Sequence, residues 1–387
     1  TTDVLKANNS AVTYARVPSA QNMIPGRSGH TATFIKERGS VIIISGLGSD
    51  AAHDDVFEYL VDSRTFKRLL PGGNSHGPSF GHTAIATTIN GHPAVWVFGG
   101  ISGSRCIGES TVLILEPGAE RWLPAPTDAM GTLWGHSVVK RADGSIILFG
   151  GMHSDSQCNS DVFRVRISDT MPCAKPLAVT KAARKNTAPS GRRRHTATLF
   201  RDRFMFVFGG RTPDKFFNDL WISSRNTQSS LRLLFNTAAN TVPDSHRDAS
   251  SEEGFHNLLV EEVRSGNVGD VQVHSGPTKR TGHIAFLRDD VLYTGTGIGG
   301  EGTLLHYNDL HCYDIHEHRW CKVDTSSLDA PEAQTMGSAT ELGDGTFLHF
   351  GGRHIDKPEA LNSAFVVKVL HQRSRDSSWI MQSAVGT

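Results

Sequence analysis

One short pattern, met six times along the chain, restricts the possible folds more than any other feature. A Gly-His or Arg-His pair followed by small and apolar residues occurs at Gly29-His30, Gly81-His82, Gly135-His136, Arg194-His195 and Gly282-His283, with a degenerate copy at Gly337-Ser338. Each copy is followed by a short apolar run that ends in glycine. The runs end at Gly46, Gly99-Gly100, Gly150-Gly151, Gly209-Gly210, Gly295 and Gly351-Gly352. A third run comes next, then a turn, and often an aromatic residue such as Phe66, Trp122 or Trp320. Such units read as four short strands rich in β-branched and aromatic residues, joined by Gly, Asp and Asn turns. No window carries a sustained i, i+3, i+4, i+7 apolar pattern, so helices are expected to be scarce.

Successive first glycines lie 53, 51, 59, 86 and 56 residues apart. A single four-stranded sheet of this composition cannot bury both faces, whereas six arranged radially bury them against one another. In position, order and spacing the six units resemble the kelch-repeat family, whose period is about 50 residues. The resemblance implies an all-β, six-bladed β-propeller with four antiparallel strands per blade. It places the His-bearing strand innermost and the aromatic-bearing strand near the rim. On this reading residues 1–387 form one domain, with blades near 25–75, 78–128, 131–186, 189–276, 278–330 and 333–387. The long fourth interval is an insertion between blades four and five. Its polar part, Asn236–His256, is expected to be mobile, as either a long loop with a hairpin or a decayed half-blade. Two further segments, Val12–Val17 and the run from Trp379, look like strands. One of them is expected to complete blade six.

Charge narrows the function. Basic and acidic side chains number 39 each, which excludes binding nucleic acid through bulk charge but not through a local patch. No run of 18 apolar residues exists, so no membrane-spanning helix is expected. The start of the chain does not read as a secretory leader. Five irregularly spaced cysteines are no disulfide framework, and a reducing, cytoplasmic setting is the expectation.

Several conspicuous residues read as structural. Gly295-Thr296-Gly297-Ile298-Gly299-Gly300 matches the dinucleotide glycine pattern, but no helix follows to meet a pyrophosphate, so a backbone turn is expected. The repeated His30, His82, His136, His195 and His283 would ring one level of the inner strands. Metal ligands must converge on one point, whereas blades spread a ring around an open channel. These histidines are therefore read as structural, together with Gly99, Gly100, Gly150, Gly151, Gly209, Gly210, Gly351 and Gly352. Cys312 and Cys321 should face each other across a hairpin, and His316 and His318 at its turn lie too far along to join them as ligands. No metal site, cofactor or catalytic residue is assigned. Gly-x-Ser-x-Gly, His-Glu-x-x-His, P-loop and Cys-x-x-Cys patterns are all absent.

What remains is a binding platform for a partner protein, offered by the loops between strands. Arg27, Arg105, Arg211, Arg280 and Arg353 fall at or beside those turns and are candidate contacts. A second candidate is the stretch from Thr170 to Arg201, which has no Asp or Glu. Its Lys175, Lys181, Arg184, Lys185, Arg192, Arg193, Arg194 and Arg201 either meet RNA phosphates or form a solvated basic loop. Blade four, with Gly209-Gly210-Arg211-Thr212-Pro213 and then Asp219-Leu220-Trp221, is similar to the kelch half of leucine carboxyl methyltransferase-like tRNA wybutosine-synthesising enzymes. That likeness implies RNA as an alternative partner, with tRNA the first choice and catalysis located outside this chain. A sugar-isomerising propeller enzyme is a further alternative.

Overall fold

The computed structural model describes residues 12–18, 24–125, 131–167, 176–181, 189–223, 231–235, 276–300, 303–316, 319–323, 325, 329–354, 356–369, 371–373 and 379–381. Six four-stranded antiparallel sheets form a six-bladed β-propeller. Blade one runs outward as Thr31–Ile35, Ser40–Leu47, Ala52–Leu60 and Thr65–Leu69. Blades two to five repeat that order, with inner strands Thr83–Ile89, Ser137–Lys140, Thr196–Phe200 and Ile284–Arg288. The six inner strands touch in sequence, and the last, Ser338–Glu341, touches the first, which closes the ring.

Blade six is completed from the other end of the chain. Its outermost strand is Val12–Arg16, paired antiparallel with Ala364–Val369 from Val12 opposite Val369 to Arg16 opposite Phe365. Trp379–Met381 instead forms a two-stranded hairpin with His371–Arg373. The segment Asn236–His256 lies outside the described residues.

The second strand of each blade is the most deeply buried. Val41 to Ile44 are all 0% exposed, and Phe204 to Phe208 are buried throughout. Both faces of these strands meet neighbouring blades, so their sequences are continuous apolar runs rather than alternating ones. The apolar clusters accordingly span seams. One joins Trp96 and Val112 of blade two to Ile146 and Phe163 of blade three, and another joins Phe206 and Leu220 of blade four to Tyr313 and Trp320 of blade five.

Three of the six repeats differ from the sequence alignment in detail. In blade five the turn equivalent to a diglycine is Thr296-Gly297, with φ of 58° and 93°, and Gly295 merely ends the strand. In blade one the same place is held by Ser45-Gly46, with φ of 51° and 112°. A β-branched residue at positive φ is strained, so here the surrounding backbone imposes the turn on Thr296. In blade six the strand pairing is that of the other blades, and the Gly337-Ser338 copy is displaced from it by one residue. Ser338 pairs with Phe350 as Thr196 pairs with Phe208, which puts Ser338 one place after the histidine position and Gly337 in it.

Candidate functional site

The channel mouth is built from the segment that leads into each inner strand. The residue before each histidine has positive φ: Gly29, Gly81, Gly135, Arg194, Gly282 and, in blade six, Met336. Their backbones form a closed ring of hydrogen bonds. Gly81 N–H donates to Gly29 O, Gly135 to Gly81, Arg194 to Gly135, Gly282 to Arg194, Met336 to Gly282 and Gly29 to Met336, at 2.6–3.0 Å. Each blade gives one donor and one acceptor, so no buried amide is left without a partner.

The histidines lie just inside this ring and tie each blade to the one before. His82 Nε2 shares a hydrogen bond with Thr31 Oγ1 at 3.2 Å, His136 with Thr83 at 2.7 Å, His195 with Ser137 at 2.7 Å, His283 with Thr196 at 3.0 Å, and His30 with Ser338 at 2.9 Å. The sixth seam lacks both partners, having Ile284 in place of the hydroxyl and Gly337 in place of the histidine. The buried His349 fills the space, its Nε2 paired with Gln334 Nε2 at 2.8 Å. Burial pushes His136 and His349 down to about 4. Burial with nearby cations pushes His30 and His283 down to about 3. Neutral rings spread round a channel are hydrogen-bonding spacers, not a metal centre.

Three of the candidate arginines are also internal. Arg27, Arg192 and Arg280, each three residues before its histidine, are 0% exposed. Each makes a two-pronged pair with an aspartate of its own blade. Arg27 reaches Asp55 at 2.6 and 3.1 Å, Arg280 reaches Asp309 at 2.7 and 2.8 Å, and Arg192 Nη2 reaches Asp219 Oδ2 at 2.9 Å. Each also donates to the backbone carbonyl of Ser45, Thr296 or Gly209 at 2.9–3.0 Å. Buried and already held by these bonds, they are not placed to meet a partner. Arg105 is exposed and pairs loosely with Glu109 at 3.5 Å.

Of the basic stretch, Lys175, Arg184 and Lys185 lie outside the described residues, and only the backbone of Lys181 is described. Arg192 is internal, and Arg201 pairs with Asp290 across the seam with blade five. The two that reach the channel mouth are Arg193 and Arg194. Their guanidinium carbons sit 4.4 and 5.0 Å from the ring centre of Trp134, which meets Phe80 edge-on at 6.2 Å. Arg193 and Arg211 exchange backbone hydrogen bonds at 2.9 and 3.0 Å, and Arg353 holds the equivalent place in blade six opposite Thr335. Burial and the charges of Arg193, Arg211 and Arg353 push Arg194 down to about 9. Among the described residues none of these four forms an ion pair. The result is a cationic mouth with an aromatic wall, drawn from blades two, three, four and six.

Trp134 and Phe80 were missed as candidates because nothing in their local sequence marks them. Arg194 left a trace, since repeat four reads Arg-His where four others read Gly-His.

Comparison with known proteins agrees with this architecture. Residues 123–254 match the model of the KLHDC2/KLHL20/DRC7 Kelch-repeats domain. Over those residues the chain is similar to kelch repeats. Similar proteins include a Drosophila melanogaster leucine-zipper-like transcriptional regulator 1 homolog, 24% identical over 70% of this chain and 29% of its own length. Tip elongation aberrant protein 1 of Schizosaccharomyces pombe is 28% identical over 53% of this chain and 18% of its own length. A Xenopus laevis Rab9 effector protein with kelch motifs is 23% identical over 54% of this chain and 56% of its own length. The chain thus spans little more than half of these relatives at most. These matches give no support to the likeness with tRNA wybutosine-synthesising enzymes. Two of the residues that carried it have internal tasks, since Asp219 receives Arg192 and also the indole N–H of Trp221 at 2.7 Å. Among the described residues no helix is long and apolar enough to cross a membrane.

Proposed function

We propose that this kelch propeller is a non-catalytic platform that takes an acidic segment of a partner protein at its channel mouth. The observation that carries the reading is the pair Arg193 and Arg194 over the Trp134 ring, within the electrostatic reach of Arg211 and Arg353 and with no carboxylate paired to any of the four among the described residues. Guanidinium groups present planar donor forks suited to carboxylates. Partly desolvated cations held beside an aromatic face gain more from an incoming anion than solvated ones. The Rab9 effector proteins with kelch motifs are, by name, proteins that act through a partner, which supports a platform role.

RNA is the second reading. A single strand needs a track of cations along its backbone with aromatic faces for successive bases. The described part of the basic stretch offers a compact cluster, because Arg192 and Arg201 are already paired. This favours one or two carboxylates over a phosphate track.

The test compares an Asp/Glu-rich peptide with tRNA, each titrated against wild type and an Arg193→Ala/Arg353→Ala variant over a salt series. Peptide binding that weakens with salt and is lost in the variant supports the proposal. Tight tRNA binding with a steep salt slope, flattened in the variant, would turn the assignment to RNA.

A further inference from the structure

Outside the channel mouth, one cluster on the same face brings metal-ligating side chains together from different blades. His306 lies in the short strand Leu305–His306 of the blade-five loop, paired with Ile298–Gly299. His354 and Asp356 lie in the corresponding loop of blade six, just past Arg353. The imidazoles of His306 and His354 are 4.0 Å apart and 15° from parallel. His354 Nδ1 is 3.6 Å from Asp356 Oδ2. One ligand atom from each of the three residues lies within 4.8 Å of the others.

From this juxtaposition we propose a divalent metal site formed by His306, His354 and Asp356 that joins the loops of blades five and six. Two imidazoles and one carboxylate, with no thiolate, are a borderline donor set. It suits zinc and its first-row neighbours rather than calcium or magnesium, which prefer oxygen ligands. Tetrahedral coordination at about 2.0–2.1 Å leaves the fourth position to water. Ligand atoms in such a shell stand about 3.4 Å apart by that geometry, so the three groups must close by little more than an ångström. The exposed Asp356 side chain is free to swing, and one imidazole must turn about its Cβ–Cγ bond out of the stack. The backbone N–H of Asp356 donates to His354 Nδ1 at 3.3 Å, so the one lone pair of that nitrogen points toward Asp356 and is engaged in this long contact. A bound ion would take over this long contact.

The nearby Lys357–Glu332 pair, 2.7 Å apart, occupies the neighbouring carboxylate, so the set stays at three protein ligands. Bound metal would stiffen two loops that flank the proposed partner site, but its binding does not depend on that proposal.

The experiment is calorimetric titration of the chain with zinc chloride, followed by cobalt(II) substitution read by visible absorption. One site per chain is expected, with affinity at least about tenfold weaker in each of His306→Ala, His354→Ala and Asp356→Asn, as for loss of a ligand or its support. Cobalt absorption typical of low coordination should appear in wild type and vanish in the His306→Ala/His354→Ala double variant. Asp356→Asn, at an exposed position, guards against a folding defect in the histidine variants. Zinc binding unchanged in the double variant, or no zinc binding by wild type, would overturn the site.

Discussion

The imidazole of His195 in blade four and the hydroxyl of Ser137 in blade three are 2.7 Å apart, buried at the seam between the two blades. A link between blades thus sits in the innermost strands rather than at the rim. The same imidazole lies between two glycines, with Gly210 of its own blade against its Cβ and Gly150 of the previous blade against its ring edge. His195→Ala opens a cavity and strands Ser137, so a loss of about 2–4 kcal/mol is expected. Ser137→Ala removes only the hydrogen bond and should cost nearer about 1 kcal/mol. Urea unfolding of both variants measures the ratio, and equal losses would contradict this division between packing and hydrogen bonding.

Glycine at position 150 answers two demands at once. Its φ is 70°, and a Cβ there would stand 2.7 Å from both Arg192 O and His195 Cε1. Gly150→Val should therefore destabilise by about 3 kcal/mol or more, combining a special backbone conformation with overpacking. Gly144, also at positive φ but with nothing within 4 Å of a Cβ, is the control. Gly144→Ala should lose only the backbone part, about 1 kcal/mol. Thermal melts of the two variants separate strain from collision.

Acid should unfold this propeller earlier than its carboxylates alone would require. His30, His82, His136, His195, His283 and His349 are all held well below the ordinary histidine value, chiefly by burial. In five of them Nδ1 makes no hydrogen bond, so a second ring proton there would have no acceptor. Below about pH 6.5 the unfolded chain takes up protons at these sites and the native chain does not. Their contribution is complete above that pH and is lost as pH falls toward the lowered native values, about 3 for His30 and about 4 for His136. The limiting slope is about 1.4 kcal/mol per pH unit for each histidine. The melting temperature should drop steeply between about pH 6.5 and 5, above the range where paired carboxylates titrate. A flat profile there would rule out a neutral histidine ring.

Arg280 and Asp309 show why three repeats carry an internal arginine. Burial alone would raise the Asp309 carboxyl, but hydrogen bonds and charge from Arg280 and His311 hold it well below the usual carboxylate range. Arg280→Ala leaves that carboxylate with His311 alone and the Thr296 carbonyl without its donor. A loss of about 3–5 kcal/mol is expected, as for breaking other buried pairs. The Arg280→Met/Asp309→Leu double variant should recover much of it by replacing the pair with apolar volume. Chemical denaturation of single and double variants checks both outcomes.

The repeat pattern of the sequence determined the fold. The recurring Gly-His and diglycine turns expose the period, because backbone positions at positive φ restrict residue choice locally. His195 and Gly150 could be assigned structural roles from their place in the repeat alone. The repeat also hid its own exceptions. Thr296 takes a glycine's place, and Gly337 a histidine's, since the closed ring of neighbours can impose a turn or fill a space whatever the local residue prefers.

What the arginines do was decided only by tertiary structure. Arg192, Arg193 and Arg194 are consecutive and look alike in sequence. Successive residues of an extended segment point in different directions, so Arg192 turns inward to Asp219 while Arg193 and Arg194 meet Trp134 at the channel mouth. Arg211 joins them through backbone pairing with Arg193 inside blade four, Arg353 only because blade six curves round the same channel, and His306 and His354 meet only because blades five and six share a seam. Local sequence records the conformation each segment needs. It does not record which distant side chains a radial closure places within a few ångströms, and both proposed binding sites are made of such encounters.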